Sequence, residues 1–539
     1  MKRILILFAA LTVATFTFAQ KKKAVEPDNW YHMDPKTDKV YGVAADLAYK
    51  TILPTLTPKT VVVAVIDGGT DITHEDLKEV LWVNPREIEG NGIDDDKNGY
   101  VDDINGWDFI GGKDGTPVDH DTYELTRLYV KMKPKYDAIL SDSGLSAADK
   151  KEYALYAKVK DDFESKLNQS KSIFDYYSST DRGLNSILNK LKTEDLTIDD
   201  VMPVPVTSQG EIQAKKLLVG FVKSGQKVAA LRTALTGAKD HYFKETEYYL
   251  NVKFNPRTIV GDNYEAAQQR NYGNNLVKGP SSDHGTHVAG IIGANRSNTL
   301  GMMGIAGNAK IMVLRVVPDG DERDKDVANA IRYAADNGAS VINMSFGKNY
   351  TYNKKAVDEA VQYAMSKDVL MVHAAGNNSE NNDVISHYPT VQFEDTTITP
   401  TGWIEVGASS WKKGKNLAAE FSNYGFKSVD VFAPGVNIYA TLPESTYGKN
   451  SGTSMAAPVT AGVAALIRSY YPDLTAQQVK EIIMESVTKV KGKVYIPGGD
   501  ENGKKKKVPF KTLCASGGIV NAYKALQLAA TTPGLKKSK

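Results

Sequence analysis

Short runs of β-branched and other apolar residues recur along the chain, each closed by a turn signal. Between them lie stretches whose apolar positions fall three and four residues apart. Val61-Val62-Val63-Ala64-Val65-Ile66, ended by Asp67-Gly68-Gly69, reads as a buried strand. The same pattern marks Ile311–Val317, Val341–Gly347, Val369–Val372, Ile404–Gly407 and Val429–Phe432. Helical spacing predicts helices at Asp326–Asn337 and Asn353–Lys367. Apolar strands alternating with helices predict an α/β fold of three layers around a mostly parallel central sheet.

From residue 119 to residue 253 the alternation stops. Ser146-Ala147-Ala148-Asp149 has the form of a helix N-terminal cap, after which Tyr153, Tyr156, Val159, Phe163 and Leu167 recur at helical spacing. Leu217, Leu218, Phe221 and Val222 predict another helix, as do Val228, Leu231 and Leu235. The segment is too long and too periodic for a loop and is expected to be an α-helical insertion with its own core.

The first residues differ again. Lys2 and Arg3 precede an apolar run, Ile4–Phe18, that ends at Ala19 with Thr17 two positions before it. That is the layout of a cleavable secretory signal, so residues 1–19 predict export to a periplasm or to the exterior. No later apolar run reaches about 18 residues, so no transmembrane segment is expected after cleavage. The remaining chain divides into a polar N-terminal extension (20–55), a catalytic domain in two parts (56–118 and 254–530) around the insertion (119–253), and a Lys-rich tail (531–539).

Composition narrows the class. Among 539 residues, 42% are hydrophobic and 24% charged, which excludes a disordered polymer or a multi-span membrane protein. Lys and Arg number 66 against 64 Asp and Glu, so no global charge points to nucleic acid. The single Cys514 has no partner within the chain, and stability must come from a large core, helped by metal. The run Lys504-Lys505-Lys506-Lys507 reads as a solvated loop rather than a polyanion contact.

Four stretches carry candidate chemistry. Asp67 stands just past an apolar strand, where parallel sheets put their working groups. Asp283-His284-Gly285-Thr286-His287-Val288-Ala289-Gly290 sets a histidine at the start of a helix rich in small residues. Gly452-Thr453-Ser454-Met455-Ala456-Ala457-Pro458 places a serine near a helix N-terminus, where backbone N–H groups favour developing negative charge. Ala374-Ala375-Gly376-Asn377 puts an amide on a turn directly after a strand.

Together these four stretches resemble the subtilisin-like serine proteases, the subtilases, in which Asp, His and Ser occur in that chain order. The resemblance covers about residues 56–118 and 254–530. It implies a subtilisin-like fold and an exported serine endopeptidase that cuts protein or peptide substrates through an acyl-enzyme. Asp67, His284 and Ser454 would be catalytic, and Asn377 would donate to the oxyanion. Ser345, Phe346 and Gly347 would line the substrate, and His287 would be structural. Asp67 and His284 stand 217 residues apart, far more than in simple subtilases, and the insertion accounts for most of the excess. No inhibitory prodomain of full length is expected in the short extension, and the insertion is expected to border the cleft, restricting access or assisting folding.

Two competing readings remain open to test: a catalytically idle subtilase-like binding protein, and a metal-dependent hydrolase built on His284 and His287. A cation site is also written in the chain. Asp94, Asp96, Asn98, the Tyr100 carbonyl and Asp102, around the turn at Gly99, match an EF-hand-type Ca2+ loop, with Asn105 in place of the final Glu. Asp76 resembles a calcium ligand of the family, although its partner loop near Asn298 is altered in length. No organic cofactor is expected.

Overall fold

The computed structural model describes residues 26–500 and 503–536. The expected signal at 1–19 lies outside the described residues. The described chain forms two compact units, residues 26–143 with 252–536, and residues 144–251.

The larger unit is built on a nine-stranded sheet. In chain order its strands are β1 Val61–Asp67, β2 Gly106–Asp108, β3 Ala309–Arg315, β4 Val341–Met344, β5 Leu370–Ala374, β6 Trp403–Ser409 and β7 Val431–Pro434. A separate hairpin, β8 Ile438–Leu442 with β9 Thr446–Asn450, follows. The remaining strands are β10 Thr488–Lys489, the hairpin pair β11 Lys493–Tyr495 and β12 Lys507–Pro509, and β13 Gly518–Ile519. Across the sheet the order is β10-β13-β7-β6-β5-β4-β1-β3-β2, parallel throughout except for β10 against β13.

Successive residues of a strand face opposite sides of a sheet, and here both sides are apolar. Val61, Val63, Val65, Ile311 and Val313 enter one core, while Ala64, Ile66, Met312 and Leu314 enter another. The first core is closed by the helices Asp283–Gly293 and Thr453–Tyr470, and the second by Asp324–Asp336 and Lys354–Ser366. The result is the three-layer α/β fold. The N-terminal extension is less polar in role than in sequence: Trp30, Tyr31, Val43, Ala45 and Ala48 are buried in the first core. The Val43 carbonyl accepts the Ala522 N–H at 2.7 Å.

The smaller unit is helical. Its longest helix, Ala147–Leu191, starts where Ser146 Oγ accepts the Asp149 N–H at 3.1 Å. Gln209–Lys223 begins with a reciprocal cap between Ser208 and Glu211, and Val228–Lys244 follows. Leu184, Ile187, Leu218, Val228, Leu231 and Leu235 form a core within this unit. The start of the compact unit differs from the expected insertion boundary at 119. Residues 119–143, including the helix Glu124–Tyr136, cluster with the larger unit. Long-range bonds tie the helix there: buried Glu124 meets Lys348 Nζ at 2.5 Å, and its helix neighbour Arg127, which it pairs with at 2.8 Å, donates to the Glu322 carbonyl at 3.0 Å.

Candidate active site

Asp67 is the last residue of β1 and is 2% exposed. Its carboxylate accepts the Gly68 N–H at 2.8 Å and faces His284 Nδ1 at 2.7 and 2.9 Å. A carboxylate only accepts, so Nδ1 carries the hydrogen, and Nε2 has no hydrogen-bond partner among the described residues. The helix bearing His284 can approach this loop because residue 285 is glycine: a Cβ there would sit 2.1 Å from the Gly69 carbonyl oxygen. Desolvation works against a charged His284 ring, but the Asp67 carboxylate outweighs it and holds the imidazole above its ordinary pKa.

Ser454 is the second residue of the helix Thr453–Tyr470. Its hydroxyl donates to the Ser345 carbonyl at 3.0 Å, and Ser345 Oγ donates back to the Ser454 carbonyl at 2.9 Å. Among the described residues no acceptor meets the Ser454 N–H, as expected in a first helical turn. Asn377 lies beyond β5. Its Oδ1 accepts the Thr453 N–H at 2.8 Å and the Thr453 hydroxyl at 3.0 Å. Those two bonds fix which way the amide points, and leave the Nδ2 donor for the cleft.

The expected substrate-lining residues follow β4. Ser345 is buried, Phe346 half-buried and Gly347 exposed. Behind them lies a pair that sequence reasoning missed, since its members are far apart in the chain. His373 Nε2 donates to the Phe346 carbonyl at 2.8 Å, and Nδ1 faces both Glu405 oxygens at 3.0 Å. Burial opposes charge on this ring, and Glu405 overrides it, raising its pKa. The alternation of β5 and β6, which pair His373 directly with Glu405, is the signal that could have found it.

His287 is not part of this constellation. Its Nε2 meets the Gly448 carbonyl at 3.3 Å, and burial pushes its pKa down to about 4. With His284 Nδ1 committed to Asp67, the two histidines do not converge as metal ligands. The acidic loop behaves differently from a full EF-hand pattern. Asp94 and Asp96 converge with Glu87, which the sequence reading did not include, their oxygens within 4.8 Å of one another. Asp102 instead accepts the Gly90 and Gly92 N–H groups at 3.0 and 2.9 Å, and Asn98 donates to Asp103 at 3.0 Å. The Tyr100 ring is buried. Asp76 is met by Asn298 Nδ2 at 2.7 Å and by the Met302 N–H at 3.3 Å.

Comparisons with known proteins bear on the family of the chain. The chain is 36% identical over 218 residues to subtilisin DY of Bacillus licheniformis, covering 40% of this chain and 74% of that one. It is 37% identical over 245 residues to thermitase of Thermoactinomyces vulgaris, covering 45% and 75%. A thermophilic serine proteinase of a Bacillus species is 38% identical over 212 residues, and there the chain spans only 48% of the relative's length. A solved structure of proteases from Pseudoalteromonas arctica aligns over 93% of this chain and 97% of that one, at 20% identity and a TM-score of 0.47. The model of the Subtilase family matches residues 58–504. The chain therefore belongs to the subtilase family.

Proposed function

We propose that this protein is an exported serine endopeptidase in which Ser454 is the nucleophile, His284 the general base and acid, and Asp67 its orienting carboxylate. The observation that carries the reading is the 2.7 Å contact between Asp67 and His284 Nδ1, made across 217 residues of sequence. With Nδ1–H held there, Nε2 is free to take the Ser454 proton as Oγ attacks the substrate carbonyl. Rotation of Oγ away from the Ser345 carbonyl precedes that step. The tetrahedral oxyanion is stabilised by Asn377 Nδ2 and the Ser454 N–H. His284 then returns the proton to the leaving amine, and water repeats the sequence on the acyl-enzyme.

Ser345, Phe346 and Gly347 bind the acyl half of the substrate, and the His373–Glu405 pair steadies the Phe346 carbonyl behind them. The catalytic domain comprises 26–143 and 252–530, with 144–251 as a helical insertion. Among the described residues no helix is long and apolar enough to cross a membrane. Export rests on the N-terminal sequence pattern alone. Glu87, Asp94 and Asp96 would hold a structural calcium ion, three hard oxygen donors whose negative charge it would largely offset. Hydrolysis of internally quenched peptides tests the central reading: Ser454→Ala is expected to lower turnover at least about a thousandfold. Retained turnover would overturn the nucleophile assignment.

A further inference from the structure

In the sheet, β6 and β7 lie on the opposite side of β5 from β4 and its Ser345–Gly347 segment. The loops after β6 and β7, with the β11–β12 hairpin, enclose a cleft of about 400 Å³. Its walls include Phe421, Val436 and Tyr495, with Lys412 and Lys505 also lining it. Two of these walls are tied to the reacting centre. Ser379, two residues beyond Asn377, donates its N–H to the Phe421 carbonyl at 2.9 Å and its hydroxyl to the Glu420 carbonyl at 2.8 Å. Val436 follows Gly435, whose carbonyl accepts the N–H of Gly452 at 2.8 Å, two residues before Ser454. Two walls of the cleft are thus bonded to the segments that carry Asn377 and Ser454, on the side of β5 away from Ser345–Gly347, where the leaving half of a substrate would emerge.

The charge around it is mostly positive, Glu420 being the acid among its lining residues. The ammonium groups of Lys415, Lys505 and Lys507 lie 5.3, 5.6 and 5.9 Å from the centroid of the Tyr495 ring. All three lysines are exposed. Among the described residues one ion pair reaches them, Lys505 with Glu420 at 3.7 Å, and its side chains are 60% and 79% exposed. Three like charges gathered around one ring repel each other, and the ring face offsets only part of that. An anion seated in the cleft beside Tyr495 would offset more of it. The Lys504–Lys507 run, which the catalytic machinery does not use, supplies two of the three.

We propose that this cleft, with Lys505 in its wall and Lys415 and Lys507 gathered at the same Tyr495 ring, is a subsite for Asp or Glu side chains on the C-terminal side of the scissile bond, so that the enzyme favours substrates acidic there. The proposal rests on the serine endopeptidase reading above. Two quenched peptides, identical except for Glu-Glu or Gln-Gln at the second and third positions after the cleaved bond, test it. At low salt the intact enzyme is expected to give a kcat/KM ratio of about five to ten in favour of the acidic peptide. That ratio falls towards one in about 0.5 M salt, because exposed charges are screened. In Lys415→Glu/Lys505→Glu/Lys507→Glu the ratio is expected to reach one or invert. The milder triple Gln variant is expected to lie between. A ratio of one in the intact enzyme, or a ratio unchanged by either variant, overturns the subsite. Failure of the intact enzyme to cut either peptide overturns the endopeptidase reading instead, so the two failures are distinguishable.

Discussion

In the proposed mechanism His284 does two jobs with two nitrogens. Nδ1 is engaged by Asp67 at 2.7 Å, and Nε2 would exchange the proton with Ser454. That mechanism needs a neutral ring, so activity is expected to fall as pH drops through the His284 pKa. Because Asp67 raises that pKa, the acid limb is expected above the ordinary histidine value of about 6.5. In Asp67→Asn the limb is expected to move down in pH while kcat drops about a thousandfold or more. A pH–rate profile of both proteins checks this, and an unshifted limb contradicts it. The stability sign is opposite. A histidine whose folded pKa is raised contributes stability below its unfolded value, and loses it as pH rises through the folded one. The pair thus contributes least where catalysis is fastest. At this scale the sequence was informative for Asp67, His284, Ser454 and Asn377, because flanking glycines and small residues mark each turn. It was silent on His373 and Glu405, which meet only when β5 pairs with β6, and on Glu87, which lies outside the acidic run that the turn folds back against it.

Among elements, the long apolar runs that read as strands are strands: Val61–Asp67, Ala309–Arg315 and Leu370–Ala374 fall within a few residues of their predicted limits. The three-residue strand Gly106–Asp108 was missed, being too short to show a period. The helix Glu124–Tyr136 was assigned to the insertion because helical spacing carries no information about which core receives a helix. Its place is set by Glu124, Arg127 and Lys348 instead. Inside the insertion the helices Ala147–Leu191 and Gln209–Lys223 meet through two glycines. A Cβ on Gly210 would lie 2.2 Å from the Ser179 carbonyl oxygen, and one on Gly183 would lie 2.3 Å from the Gly210 backbone. Gly210→Ala is therefore expected to force these helices apart at a cost of about 1–3 kcal/mol. Hydrogen exchange across residues 147–223 reads it: faster exchange there supports the contact, and unchanged protection contradicts it.

For the whole molecule, stability rests on apolar cores, two of them flanking one sheet and another inside the helical unit, without disulfides, since the only cysteine, Cys514, is buried and free. A calcium ion at Glu87, Asp94 and Asp96, as proposed above, would add to that by binding the folded state alone. Chelation is expected to lower the melting temperature by several degrees, and Asp94→Asn/Asp96→Asn should abolish the sensitivity. A chelator-insensitive melting curve in the intact protein would remove the metal from the account. The catalytic claim has a sharper test, because a fluorophosphonate reacts only with a serine that its histidine has activated. Labelling the intact protein and mapping the adduct by mass spectrometry is expected to place it on Ser454, with no labelling in Ser454→Ala or His284→Ala. An adduct elsewhere, or no adduct on the folded intact protein, would contradict the assignment.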